Sequence, residues 1–201
     1  MTVLALSGSS IDGSVYTDVV DLAHRSPAWV DDTVSAWSSY GLAVFAVLML
    51  VGWWRARRVR AEAAVTALAV PVVVVVAYGV NALAKLGVRE VRPCRTLHVV
   101  TLEACPARTD WSFPSNHAAI AAAAAAALFF VSRRLGAVAT VAAAAMAVSR
   151  VWVGAHYPHD VAAGIVVGCL VALVAMKALL RRPESLARRI TGTRLRPLLV
   201  S

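Results

Sequence analysis

His156 and Asp160 lie four residues apart. On a helix that spacing sets a carboxylate beside an imidazole, holds one ring nitrogen and leaves the other free to attack. A second histidine, His117, follows Pro114-Ser115-Asn116 and supplies a proton carrier that works near neutral pH. Lys85, Arg92 and Arg150 add three positive charges, one a compact ammonium and two planar forks that match phosphate oxygens. Ser115 stands where a helix begins, and backbone N–H groups and the helix dipole favour an anion there. Cations around an anion, a nucleophile with an orienting carboxylate, and an acid describe a phosphoryl-transfer site.

These groups are set in an apolar chain. Of its 201 residues, 60% are hydrophobic and 15% charged, and the mean hydropathy is +0.71. A soluble domain of this size cannot cover so much apolar side chain with polar surface. The composition excludes an ordinary cytosolic enzyme, a disordered chain and a disulfide-stapled miniprotein, and predicts an all-α polytopic membrane bundle. Five stretches approach the roughly 20 apolar residues that cross a bilayer: about Trp37 to Trp54, Ala63 to Ala84, Ser115 to Val131, Gly136 to Gly154 and Val161 to Leu180. The run Val72 to Val76 would favour a strand in water, but lipid requires the backbone to satisfy itself and so selects helix. The third stretch contains Ala121 to Ala127 without a break, which predicts close packing at the centre of the bundle. The chemical residues sit at the ends of the second to fifth stretches.

Charge sets the orientation. Arg55, Arg57, Arg58 and Arg60 join the first two spans, Arg133 and Arg134 the third and fourth, and Lys177, Arg181, Arg182, Arg188, Arg189, Arg194 and Arg196 follow or end the fifth. The positive-inside rule makes that face cytoplasmic and puts the chemical residues outside. The net charge of +9 is thereby assigned to topology and lipid rather than to nucleic acid. Met1 to Ser10 lacks the basic region of a signal peptide. Ile11, Val15, Val19 and Leu22 recur at helical spacing among Asp12, Asp18 and Asp21, which predicts an amphipathic helix lying on the membrane. The expected organisation is an N-terminal segment over 1–35, a transmembrane domain over 36–180 and a basic cytoplasmic tail over 181–201.

Lys85-x6-Arg92-Pro93, Pro114-Ser115-Asn116-His117 and Ser149-Arg150-x5-His156-x3-Asp160 resemble the three motifs of the type 2 phosphatidic acid phosphatase family, in that family's order. Asn116 stands where the family usually carries Gly; its backbone N–H is retained. The resemblance implies that His156 attacks phosphorus to form a phosphohistidine and that Asp160 orients it. It implies that His117 protonates the leaving oxygen and then activates water, while Lys85, Arg92, Arg150, Ser115 and the Asn116 backbone hold the phosphoryl oxygens. It further implies no metal and no cofactor, in keeping with a motif set whose one acidic residue is Asp160.

Outside the motifs, His24, His98 and His159 are read as structural, and Arg89 and Glu90 as facing solvent or headgroups. Trp111, Phe113, Trp152 and Tyr157 are read as an interfacial aromatic belt. Cys94 and Cys105 share the loop predicted to be exported and can form a disulfide beside Arg92, and Cys169 is expected as a small buried residue. The expected partners are the bilayer and a lipid phosphate. Undecaprenyl diphosphate leads, ahead of phosphatidic acid, phosphatidylglycerol phosphate and a decaprenyl-phosphoryl pentose phosphate. The alternative class is a lipid or anion transporter that uses the cations for binding alone; a haloperoxidase ranks last.

Overall fold

The structure is a computed structural model that describes residues 8–181, 183–193 and 196–199. Arg182 and Arg194 of the basic tail lie outside the described residues, as do residues 1–7, most of the stretch expected to lack signal-peptide character. Among the described residues the regular elements are nine α-helices and one short 3-10 turn at Arg196–Leu198: α1 (Ser9–Arg25), α2 (Ala28–Tyr40), α3 (Leu42–Ala56), α4 (Ala61–Val88), α5 (Pro93–Thr96), α6 (Asn116–Leu128), α7 (Arg133–Trp152), α8 (Pro158–Leu179) and α9 (Pro183–Thr191). No strand occurs among the described residues.

The helical membrane bundle expected from composition is what the chain forms, though two of the five apolar stretches are not straight, full-length spans. By length and composition α4, α7 and α8 are long and apolar enough to cross a membrane, and α2 with α3, bent by 53°, add a fourth where the pair is counted as one span. The bend falls at Gly41, where a Cβ would meet the Trp37 carbonyl and the Met146 side chain. The expected start of a span at Trp37, and the boundary expected after residue 35, both fall inside α2. Helix α6 has 13 residues, about 20 Å of helix against a hydrocarbon core of about 30 Å. The stretch read as continuing to Val131 instead closes in a turn, with Phe130 N–H donating to Ala127 O and Val131 N–H to Leu128 O. The turn leaves Phe129 exposed and Phe130 and Val131 half-buried.

Small residues make α6 the central element. Ala118, Ala119, Ala121 to Ala125, Ala127 and Leu128 are buried, and α6 packs against α8, α7, α4 and α3. Helix α8 meets it through Gly164 and Gly168. A Cβ on Gly164 would fall on the carbonyl oxygen of Ser115, and one on Gly168 on that of Ala119. Around this seam Phe45, Val70, Val73, Ala77, Ala139, Met146, Ala172 and Met176 complete the core.

Helix α1 lies over the end of the bundle formed by the C-termini of α4 and α7 and the N-termini of α6 and α8. Tyr16, Val20 and Ala23 face the protein; of the face expected to meet lipid, Ile11, Val15 and Leu22 are exposed, while Val19 is half-buried against the cluster of Tyr16 and Val20. At the opposite end α9 packs on α4, where Ala187 and Leu199 are buried with Ala64 and Val65. Trp53 Nε1–H donates to the Leu198 carbonyl at 2.9 Å, so part of the basic tail folds back on the bundle.

Candidate active site

Four helix ends converge beneath α1. Lys85 is in the last turn of α4, Ser115 precedes α6, Asn116 and His117 open it, Arg150 is in the last turn of α7, and Asp160 is in the first turn of α8. The α7–α8 turn folds sharply back, with the N–H groups of Ala155 and His156 both donating to the Arg150 carbonyl at 3.1 and 3.2 Å. Gly154 allows this with a φ of 80°, a left-handed conformation that suits residues without a side chain. The Ser115 N–H donates to the Asp160 carbonyl at 3.0 Å, which ties the starts of α6 and α8 together.

His156 is buried at the centre. Its Nδ1 faces Asp160 Oδ2 at 3.4 Å, and its Nε2 lies 3.4 Å from Arg92 Nη1. The same Asp160 oxygen accepts from the Ser112 hydroxyl and from the Tyr157 N–H, while Asp160 Oδ1 has no hydrogen-bond partner among the described residues. Burial, only partly offset by the Asp160 contact, pulls the His156 imidazole down to about 3. The ring is therefore neutral at physiological pH. The Asp160 contact places its proton on Nδ1 and the lone pair on Nε2.

The cations are occupied by carboxylates of the loop between α5 and α6. Asp110 lies 3.4 Å from Lys85 Nζ and 3.0 Å from Arg92 Nη2. Burial works against the Asp110 charge, but Arg92 and Lys85 outweigh it and hold the carboxyl below its ordinary range. Lys85 Nζ also donates to the Trp111 carbonyl at 2.6 Å, and Arg92 donates to the Asp110 and Ala155 carbonyls. Arg150 Nη1 binds Glu103 Oε1 at 3.1 Å and the Ser38 hydroxyl, while its buried Nε has no partner among the described residues. The Ser115 hydroxyl is likewise buried and unpaired. His117 is half-buried within electrostatic reach of Arg150, Lys85 and Arg92, and makes no hydrogen bond to a described residue. The Asn116 side chain turns to Asn81, whose Nδ2 donates to Asn116 Oδ1 at 2.7 Å and to the Pro114 carbonyl at 3.1 Å. Cys94 and Cys105 are paired in the same loop, with Cα atoms 6.1 Å apart.

The structure thus brings the eight motif residues into one neighbourhood and adds Asn81, Ser112, Glu103, Asp110 and Ser38, which carried no sequence signal beyond being polar. Two readings are corrected. Glu90 is buried rather than facing solvent, and its carboxylate lies 3.1 Å from His159 Nε2. Tyr157 does not belong to an interfacial belt: it is buried, with Tyr16 and His159 each at a ring-centroid distance of 5.4 Å.

Residues 66–184 match the model of the PAP2 superfamily. The chain belongs to that superfamily, and the class it joins is that of membrane phosphatases. The undecaprenyl-diphosphatase BcrC of Bacillus subtilis is 27% identical over 166 residues, 80% of each chain. The bacitracin transport permease protein BcrC of Bacillus licheniformis is 41% identical over 64 residues, about a third of either chain. Among solved structures, a transmembrane PAP2-type phosphatidylglycerolphosphate phosphatase from Bacillus subtilis shares the fold. It has a TM-score of 0.58 at 18% identity and covers 87% of this chain and 88% of its own.

Proposed function

We propose that this protein hydrolyses a lipid phosphate through a phosphohistidine on His156, and that its substrate is undecaprenyl diphosphate, cleaved to the monophosphate. The observation that carries the mechanism is the buried His156, whose Nδ1 is turned to Asp160 while Nε2 faces Arg92. In the first step Nε2 attacks the terminal phosphorus, and the bond from phosphorus to the lipid-side oxygen breaks. His117 gives that oxygen its proton, and the negative charge of the arriving phosphate favours the protonated imidazole that does so. In the second step His117 takes a proton from water, the oxygen attacks phosphorus, the P–N bond breaks and inorganic phosphate leaves. The imidazolium formed on His156 is stabilised by Asp160.

Lys85, Arg92 and Arg150 supply the charge stabilisation that a metal gives in other phosphoryl transfers, so no metal is required. Asp110 and Glu103 hold these cations in the absence of substrate and yield them to phosphoryl oxygens. Similarity to the Bacillus subtilis undecaprenyl-diphosphatase supports the choice of lipid. The arginine-rich turns at the opposite end of the bundle support a site on the outer face of a bacterial membrane, with the tail cytoplasmic.

The test is phosphate release by purified protein in detergent with EDTA, from undecaprenyl diphosphate, phosphatidic acid and phosphatidylglycerol phosphate in parallel. Release strongest from the prenyl diphosphate and abolished in His156→Ala supports the reading. Preference for a glycerolipid replaces the substrate. Release from none of them favours a binding or transport protein, the class in which the Bacillus licheniformis relative is named.

A further inference from the structure

Asp12 breaks the regular path of α1, with φ −146° and ψ 28°, and turns its carboxylate toward the start of α8. There Oδ2 accepts the His159 backbone N–H at 2.7 Å and Oδ1 meets His159 Nδ1 at 2.7 Å. That N–H is one of the donors a helix N-terminus leaves without an internal partner, so α1 caps α8 from outside. The other ring nitrogen of His159 lies 3.1 and 3.2 Å from the two oxygens of the buried Glu90. A carboxylate at each nitrogen fits an imidazole that holds a proton on both.

We infer that Asp12 of the N-terminal helix clamps His159 against Glu90, and that this clamp positions Asp160 and through it the nucleophile His156. Two routes lead from the clamp to Asp160. His159 Nε2 lies 3.5 Å from Asp160 Oδ1, the oxygen that has no hydrogen bond of its own among the described residues. The Glu90 backbone carbonyl accepts the Ser112 N–H at 2.8 Å, and the Ser112 hydroxyl donates to Asp160 Oδ2. One helical turn along α1, the Tyr16 hydroxyl donates to the Gly154 carbonyl at 2.9 Å. Asp12 and Tyr16 therefore grip the catalytic turn on either side of His156. The segment matched by the superfamily model begins at residue 66, so α1 is a contribution from outside it. Other titratable groups facing the clamp are Tyr157, stacked on His159, and Asp160 itself. Atoms of Glu90, His159 and Asp160 also come within 4.8 Å of one another, a spacing that a divalent cation could take. The clamp and a metal site make opposite predictions for a chelator.

This inference rests on the phosphatase reading, and its test separates the two. Full-length Asp12→Asn is compared with wild type on phosphatidic acid and undecaprenyl diphosphate, with Asp18→Asn on the exposed face of α1 as control and Asp12→Glu as the conservative variant. The clamp predicts that kcat falls about 10-fold to 100-fold in Asp12→Asn, the scale of one hydrogen bond to a charged group. KM should stay within about twofold, Asp12→Glu should recover part of the loss, and the control should match wild type. In 15N-histidine NMR at mildly alkaline pH, wild-type His159 should carry two ring protons and Asp12→Asn one, with the His156 Nδ1 signal displaced. Wild-type kcat with an unmoved His156 signal in Asp12→Asn overturns the inference. So does loss of activity in EDTA that zinc restores. If wild type releases no phosphate from either lipid or from phosphatidylglycerol phosphate, the phosphatase reading fails, and the His156 and His159 signals still decide the clamp.

Discussion

His156 shows how one residue reports on the whole site. Burial pulls its imidazole from 6.5 to about 3, so the folded protein resists a proton that the unfolded chain accepts. The contribution to stability is intact above the unfolded value and is lost as pH falls from about 6.5 toward 3. Thermal unfolding in detergent should show a midpoint that drops through this window, and His156→Gln should flatten the slope. Asp110 gives a second prediction. It is half-exposed and paired with Lys85 and Arg92, a pairing that a phosphoryl group displaces in the mechanism we propose. Asp110→Asn should lower KM by about twofold to fivefold, the scale of an exposed ion pair, and leave kcat nearly unchanged; steady-state kinetics on a lipid phosphate decide it. At this scale the motif residues were legible because spacing repeats a chemical logic. Ser112 and Asp110 were not, because a single polar residue in a loop has no periodicity to betray its target. Glu90 was misread for the same reason: a charge in a loop is ordinarily solvated, and only the fold reveals that His159 waits for it.

Helices carry those residues to one place by close approach. Gly164 and Gly168 let α8 lie against the α6 backbone, and the Ser115–Asp160 backbone bond depends on that contact. Gly168→Leu should destabilise the bundle by about 1–3 kcal/mol, the usual cost of overpacking. It should also lower activity by moving Asp160 away from the start of α6. Thermal unfolding and phosphate release, measured on the same sample, test both. The existence of the apolar helices was legible because hydropathy is a local property. The shortness of α6 was not: the run to Val131 stays apolar through the residues that close its turn, and hydropathy does not distinguish helix from an apolar turn. The bend between α2 and α3 was hidden likewise, since Gly41 interrupts neither the length nor the apolarity of the segment.

Across the whole molecule, charge and chemistry are segregated to opposite ends. The arginines of the α3–α4 and α6–α7 connections lie at one end, and the histidines, Asp160 and their cations at the other. That segregation could be read from the order of the residues alone, because each motif sits at the same end of its span. The placement of α1 could not: its protein-facing residues Tyr16, Val20 and Ala23 alternate with the exposed apolar face that the helical spacing had singled out. The account stands on His156 as the nucleophile in this assembled site. Its most direct measurement is rapid quenching of the purified protein with lipid substrate labelled in the terminal phosphate, followed by peptide mapping. The expected result is an acid-labile, alkali-stable phosphate on His156, absent from His156→Ala. Turnover at the wild-type rate in His156→Ala, or a phosphate carried on another residue, contradicts it.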